Sequence, residues 1–232
     1  MQDSQTRCFL NKAKINEVFV SMQGEGTLIG VRQAFVRFAG CNLDCSYCDT
    51  DFSEKMACDY KYVLDFIKEN APIHSIVFTG GEPLLQAGFL RQLCDNLDKT
   101  ITYLETNGTL PKMMEFLVDC IDIVAMDLKM PSVAGIAPQW ERHRQFIDLL
   151  QNTDLDVILK VIISEDVLQD DLDTLQDILW NLKKDWPVVL QPVYEKTNRQ
   201  LMDVIFGIQR RFLRIVKDVR VIPQVHRLLD ID

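Results

Sequence analysis

Ser75-Ile76-Val77-Phe78-Thr79-Gly80-Gly81-Glu82-Pro83 decides the fold. Its first four residues have strand character, two glycines permit a tight turn, and Pro83 is preset for the first turn of a helix. A strand that turns straight into a helix is half of a βαβ unit, and repeated units of this kind build a parallel sheet. The same alternation extends in both directions. Strand candidates lie at Glu17–Met22, Ala34–Phe38, Ser75–Phe78, Ile101–Glu105, Ile121–Asp127, Val157–Ile163, Val188–Gln191 and Val219–Ile222. Helical patterns lie at Tyr60–Asn70, Leu84–Leu97, Pro111–Val118, Gln139–Leu150, Val167–Lys183 and Asn198–Val216.

From Ala34–Phe38 onward this gives seven strands and six helices, after one N-terminal strand. Right-handed crossovers leave either a doubly wound sheet or a barrel. A closed eight-fold barrel is short by about one unit, so an open, partial (β/α)6-type barrel of the α/β class is predicted, with an N-terminal strand extension. No repeat, low-complexity tract or linker interrupts residues 1–232, which predicts a single domain. Chemistry in such a fold belongs at the carboxyl ends of the strands.

The 232 residues are 47% hydrophobic and 25% charged, which supplies one substantial core and excludes a disordered or fibrous chain. With 25 Lys and Arg against 34 Asp and Glu, the formal charge is −9. That balance disfavours nucleic acid as a partner and leaves room for a local basic pocket. No apolar run approaches the ~20 residues that cross a bilayer, and Met1-Gln2-Asp3-Ser4-Gln5-Thr6-Arg7 lacks a signal-peptide core. No membrane partner and a cytoplasmic location are therefore expected.

Seven cysteines, Cys8, Cys41, Cys45, Cys48, Cys58, Cys94 and Cys120, form an odd set that reads as reduced thiols rather than a disulfide framework. Three of them fall in Gly40-Cys41-Asn42-Leu43-Asp44-Cys45-Ser46-Tyr47-Cys48-Asp49-Thr50, a C-x3-C-x2-C loop directly after a predicted strand. Thiolates this close select iron–sulfur clusters, zinc or copper(I). Structural zinc and most electron-transfer clusters take four protein ligands, whereas three leave one metal position open. A zinc or redox loop completed from afar by Cys58, Cys94, Cys120 or a histidine remains the alternative on spacing alone.

This loop, with an aromatic before the last cysteine and Gly80-Gly81-Glu82-Pro83 downstream, resembles the radical S-adenosylmethionine (radical SAM) superfamily. The resemblance implies that Cys41, Cys45 and Cys48 hold a [4Fe–4S] cluster whose fourth iron is chelated by SAM. One electron then cleaves SAM, and the resulting radical abstracts hydrogen from the substrate. It further implies SAM contacts from Tyr47, Cys48 and Asp49 around the loop, from Gly80, Gly81 and Glu82 toward the amino group, and from Glu105, Asn107, Asp127, Leu128, Lys129 and Gln191 at later strand ends. Bland readings stand beside several of these. Thr106 and Asn107 suit a helix cap, and Gln191 suits a structural hydrogen bond. The four other cysteines would be buried small hydrophobes.

Glu17-Val18-Phe19-Val20-Ser21-Met22-Gln23-Gly24-Glu25-Gly26, with Phe35-Val36-Arg37-Phe38, discriminates among such enzymes. A Gln-Gly-Glu-Gly strand end offers amide, carboxylate and backbone groups to the edge of a guanine-like ring, although a glycine-rich hairpin alone would look similar. These residues resemble the branch of the superfamily that contracts 6-carboxy-5,6,7,8-tetrahydropterin to 7-carboxy-7-deazaguanine with loss of ammonia, on the route to queuosine and archaeosine. By that resemblance residues 1–33 form a substrate-binding extension and 34–232 the partial barrel. Met22, Gln23, Gly24, Thr79, Gln224 and His226 would contact the pterin, and the fixed fork of Arg37 would pair with its carboxylate. Thr50 would give a hydroxyl to Mg2+. An electron donor and a homodimer are implied as well.

Two departures bear on the transfer. Asp127-Leu128-Lys129 replaces the Ser-Pro-Lys of many relatives, and the chain ends in Leu229-Asp230-Ile231-Asp232 where some relatives use a terminal proline carboxylate. Two other classes stay open at this point: an activase that generates a glycyl radical on a partner protein, and a non-catalytic zinc module. His74 and His143 read as solvated or capping residues, and Trp140, Trp180 and Trp186 as helix packing. The acidic pairs Glu165-Asp166 and Asp170-Asp171 read as solvated helix starts.

Overall fold

The computed structural model describes residues 12–51, 53–194 and 197–231; Cys8 lies outside them. Nine strands form one sheet in the order β3-β1-β2-β4-β5-β6-β7-β8-β9. They are β1 (Lys12–Met22), β2 (Arg32–Phe38), β3 (Met56–Asp59), β4 (Ser75–Gly80), β5 (Ile101–Thr106), β6 (Ile123–Asp127), β7 (Asp156–Ile163), β8 (Val188–Pro192) and β9 (Val219–Val221). From β2 through β9 every neighbouring pair is parallel, whereas β1 runs antiparallel to both β2 and β3. The sheet does not close on itself, since β3 and β9 are its edges. This is the open, partial barrel that the alternation predicts, with a hairpin added in front.

The helices are α1 (Tyr60–Glu69), α2 (Ala87–Cys94), α3 (Pro111–Glu115), α4 (Pro131–Ala134), α5 (Trp140–Gln151), α6 (Gln169–Trp180), α7 (Arg199–Phe212) and α8 (Val225–Leu229). Side chains alternate across a strand, so each parallel strand serves two cores. Ala34, Val36, Ile76, Phe78, Leu104, Val124, Leu159, Val161 and Leu190 pack outward in one large cluster with the helices. Phe35, Val77, Tyr103, Ala125, Ile158 and Val189, one from each of β2 and β4 to β8, form a second cluster on the inner face. These six side chains fill the barrel and make the floor of the space above.

Several local expectations need correction. The helix expected at Leu84–Leu97 is split, because Pro83–Gln86 is a 3-10 turn and only Ala87–Cys94 is α-helical. Strand β3 was not predicted: its four residues, Met56-Ala57-Cys58-Asp59, carry too short an apolar pattern to register. His143 is fully buried rather than solvated, with Nε2 3.1 Å from the Asn107 carbonyl. Asp171 is buried too, and it accepts hydrogen bonds from Ser132 N at 2.8 Å and Ser132 Oγ at 2.5 Å. Trp186 and Trp140 do pack against the core, but Trp180 is 69% exposed and lies outside the core cluster. Among the described residues no helix is long and apolar enough to cross a membrane.

Candidate active site

Two residues beyond each member of the inner cluster the same face continues, and there every side chain is polar. Phe35, Val77, Tyr103, Ala125, Ile158 and Val189 give way to Arg37, Thr79, Glu105, Asp127, Lys160 and Gln191. All six line one cavity of about 640 Å³ above the apolar floor. A period of two therefore builds a ring of hydrogen-bonding and charged groups from six different strands.

The ring is organised by opposite charges. Glu105 accepts from Thr79 Oγ1 at 2.6 Å and from Gln23 Nε2 at 3.2 Å. Lys129 Nζ lies 3.1 Å from Asp127 Oδ2. Lys160 Nζ bonds Glu25 Oε2 and sits 3.8 Å from Asp127 Oδ1. Burial alone would raise the Glu25 carboxyl, but the Lys160 ammonium and a hydrogen bond from Gln224 outweigh it and hold the group at about 2. Burial pulls Lys160 down, and the carboxylates of Asp127, Glu25 and Glu105 more than reverse this, so it stays charged. Lys129 is likewise pulled down by burial and lifted by Asp127. Glu105 moves upward because its burial dominates. The Oε1 atom of Gln191 and the Oδ1 atom of Asp127 are buried without a hydrogen-bond partner, the latter with the Lys160 ammonium 3.8 Å away.

Arg37 closes the ring toward the hairpin. Its guanidinium lies over the Phe19 ring, 5.2 Å from the centroid, and Phe19 stacks on Phe35 at 5.0 Å. An aromatic platform and one ion pair, to Glu17, position a planar cation at the cavity wall.

The cysteine loop leaves β2 at the cavity rim. Cys41, Cys45 and Cys48 all line the cavity as free thiols, while Cys58, Cys94 and Cys120 do not. Burial pushes the Cys41 and Cys45 thiols up, and the nearby Lys129 ammonium opposes this. Among the described residues no three His, Cys, Asp or Glu side chains converge on a single ion position. The three thiols at the cavity rim are a soft donor set that fits an iron–sulfur cluster with one metal position left open.

The loop is held from beneath. Gly81 N donates to Phe38 O at 3.1 Å and Glu82 N to Gly40 O at 2.9 Å. A Cβ on Gly81 would fall 1.9 Å from Gly40 O, and Gly80 adopts φ +117, so the turn admits only glycine at both positions. Tyr47 is half-buried beneath Lys129, whose Nζ lies 5.4 Å from the ring centre, and burial raises its hydroxyl to about 12.

The carboxyl-terminal segment lines one side of the cavity and is bonded to the hairpin and the cysteine loop. Val225 N donates to Gly24 O at 2.9 Å, Gln224 Nε2 to Glu25 Oε1 at 2.8 Å, and Arg227 Nη2 to Asp49 Oδ2 at 2.7 Å. Burial would raise the Asp49 carboxyl, and these Arg227 and Gln224 contacts lower it instead. Burial lowers His226, which stands against Gly24.

A family model described as the Radical SAM superfamily matches residues 35–178. A protein of Archaeoglobus fulgidus named 7-carboxy-7-deazaguanine synthase is 38% identical, and the match covers 95% of this chain and 99% of that protein. Another of the same name, from Geobacter sulfurreducens, is 32% identical over 94% of this chain and 97% of its own length. The chain belongs to the 7-carboxy-7-deazaguanine synthase family of radical SAM enzymes. The crystal structure of QueE from Escherichia coli shares the fold, with a TM-score of 0.59 at 22% identity over 93% of this chain and 95% of that one.

Most residues named from the resemblance to this synthase family lie around the one cavity: Met22, Gln23, Gly24, the cysteine loop through Thr50, Gly80, Gly81, Asn107, Gln224 and His226 join the polar ring. Two do not line it. Glu82, expected to receive an ammonium group, is fully buried and accepts from Leu84 N, Thr106 Oγ1 and Asn107 N at 2.8 to 3.0 Å. Its carboxyl, raised by burial to about 7, braces the glycine turn against β5. Leu128 is also buried, and its N–H donates to Lys160 O at 2.8 Å.

Sequence reasoning missed Lys160, Phe19 and Arg227 as cavity residues, and it read the Glu25 carboxylate as facing a guanine-like ring without naming a partner that holds it. A signal for Lys160 existed: a lone lysine inside Asp156-Val157-Ile158-Leu159-Lys160-Val161-Ile162-Ile163 needs a partner, as Arg37 does in its own strand.

Proposed function

We propose that this chain converts 6-carboxy-5,6,7,8-tetrahydropterin to 7-carboxy-7-deazaguanine with release of ammonia, as a carbon–nitrogen lyase of 7-deazapurine biosynthesis. The observation that carries this reading is the approach of the hairpin residues Gln23 and Arg37 to the three-cysteine loop across one small cavity. A cavity of about 640 Å³, with the terminal segment tied to Gly24, Glu25 and Asp49 at one side, favours a small heterocycle over the macromolecular substrate of a glycyl-radical activase.

In this reading Cys41, Cys45 and Cys48 would hold the [4Fe–4S] cluster, and Gly80, Gly81 and the strand-end residues beside them would hold SAM. When bound, the pair supplies a one-electron reductive cleavage that begins hydrogen abstraction from the substrate. The chain's own residues then orient the reactants. The Glu25 carboxylate accepts from the amino and ring N–H donors of a pterin, and Glu105 is kept for SAM. Arg37 pairs with the substrate carboxylate at the other end. Gln191 and Asp127, which line the cavity from β8 and β6, would contact SAM.

Thr50 Oγ1, 3.5 Å from Asp49 Oδ1, is the proposed protein ligand of Mg2+, an ion that takes few protein ligands and keeps several waters. A separate one-electron donor and a homodimer belong to the same proposal, as does the treatment of residues 1–232 as one functional unit. The test is anaerobic reconstitution with iron and sulfide, followed by incubation with SAM, a reductant and carboxytetrahydropterin. Deazapurine is the expected product. Its absence, or one zinc per chain in place of iron and sulfide, rejects the assignment. Thr50→Val should raise the Mg2+ concentration needed for half-maximal turnover while leaving cluster content unchanged.

A further inference from the structure

We propose that Lys160 is a positioning residue for the substrate, because its ammonium group holds the Glu25 carboxylate in the orientation in which it meets the donor edge of the pterin. The inference rests on the substrate class proposed above.

Lys160 is the member of the polar ring that the cysteine loop, the glycine turn and the strand-end motifs leave unexplained. Its place is unusual in energy. It sits mid-strand among Val157, Ile158, Leu159 and Val161, with 5% of its surface exposed, where an unpaired ammonium would be strongly disfavoured. Carboxylates from three other elements surround it: Glu25 from the loop after β1, Glu105 from β5 and Asp127 from β6. Of these it bonds Glu25 directly and stands 3.8 Å from Asp127, which keeps Lys129 as its nearer cation at 3.1 Å.

The consequence falls on Glu25. The hairpin loop is tied to the barrel by Lys160 at Glu25 Oε2 and to the terminal segment by Gln224 at Oε1. Its backbone is fixed by Glu25 N donating to Gln23 Oε1 at 3.0 Å. A carboxylate oxygen carries two lone pairs, so Glu25 retains acceptor capacity toward a ligand while both oxygens are held. The anchor lies on β7, a strand paired on both sides, and the anchored group lies on an irregular loop. Lys160 thus transfers the rigidity of the sheet to a carboxylate that enters the cavity from the hairpin loop.

The test is a double-substitution cycle at positions 25 and 160, read as KM for carboxytetrahydropterin, kcat, and the Kd of SAM by equilibrium dialysis. Lys160→Met should raise KM about tenfold or more, with kcat within about threefold and SAM affinity within about twofold. In the Glu25→Gln background the same substitution should change KM by less than about twofold, since its target is already gone. An unchanged KM in the single variant, or an equal rise in both backgrounds, overturns the proposal. If Lys160→Met alone does not accumulate folded, Glu25→Gln/Lys160→Met against Glu25→Gln decides by the same criterion, because the carboxylate left unpaired is then neutral. An unsubstituted enzyme that forms no deazapurine would overturn the substrate reading instead.

Discussion

Arg37 Nε lies 2.8 Å from Glu17 Oε1, across the antiparallel pair that joins the hairpin to the barrel. The contact is an ion pair without hydrogen-bond alignment, and the guanidinium is turned over the Phe19 ring with its edge toward the cavity. A lysine at this place keeps the charge and loses the planar fork and the stacking. Arg37→Lys should therefore lower kcat/KM for the pterin by about 10- to 100-fold, the equivalent of roughly 1.5–3 kcal/mol for a charge-assisted pair. Reductive SAM cleavage in the absence of substrate should persist at the unsubstituted rate. Unchanged pterin kinetics would remove Arg37 from the substrate site.

The Gly80-Gly81 turn makes a prediction about cluster assembly. A Cβ at position 81 would press into the Gly40 carbonyl at 1.9 Å and reach Cys41 N at 3.1 Å, backbone atoms at the root of the cysteine loop. Because no flexible side chain is there to yield, Gly81→Ala must shift the loop. We expect iron and sulfide per chain after reconstitution to fall by about half or more, with the far-ultraviolet circular dichroism of the apoprotein retained. Full cluster content in this variant would show that the loop and the turn move independently.

The parallel sheet was readable because buried strands such as Val188-Val189-Leu190 and turns such as Gly80-Gly81 carry strong local signals. Five of the six ring residues, Arg37, Thr79, Glu105, Asp127 and Gln191, were found because they fall in motifs or at strand ends. Lys160 was hidden by its position three residues before the end of β7, where an apolar run masks the register. The relation becomes visible only when the six strands are aligned side by side, a non-local fact. The bracing role of Glu82 was hidden for a related reason: two of its three donors, Thr106 Oγ1 and Asn107 N, come from the end of β5, far along the chain, and only Leu84 N is local. His143 likewise lies on a helix of charged appearance, Trp140-Glu141-Arg142-His143-Arg144-Gln145, and only tertiary packing makes it core.

That burial sets a pH dependence. His143 accommodates a neutral ring: burial lowers it from 6.5 to about 4, and Nδ1 is buried without a partner. For Nε2 to donate to the Asn107 carbonyl, Nδ1 must be the bare nitrogen. The unfolded chain binds a proton at higher pH than the folded one. The stability tied to this group is thus complete above about 6.5 and is lost as pH falls toward 4, by up to roughly 3 kcal/mol. Urea unfolding of the apoprotein at pH 7.5 and 5 should show a smaller acid-induced loss for His143→Gln than for the unsubstituted chain. Equal losses would mean that His143 is accessible to protons in the folded state.

The last prediction concerns the terminal segment at the side of the cavity. A Cβ at Gly24 would lie 2.2 Å from His226 Nδ1 and 2.6 Å from His226 Cβ, so α8 and the hairpin occupy the same space to within one methyl group. The far end of the ring can swing away, but its Cβ moves only with the helix backbone. Gly24→Ala should then lift Val225 N off Gly24 O and loosen the contacts of Gln224 with Glu25 and of Arg227 with Asp49. Trypsin cleavage after Arg220 or Arg227, followed by mass spectrometry, should accelerate by about fivefold or more, since proteolysis reports local opening. Gly24→Ala/His226→Ala, which restores the missing volume, should bring the rate back toward that of the unsubstituted chain. Equal cleavage of Gly24→Ala and the unsubstituted chain would show that the terminal segment is held by something other than its fit to the hairpin.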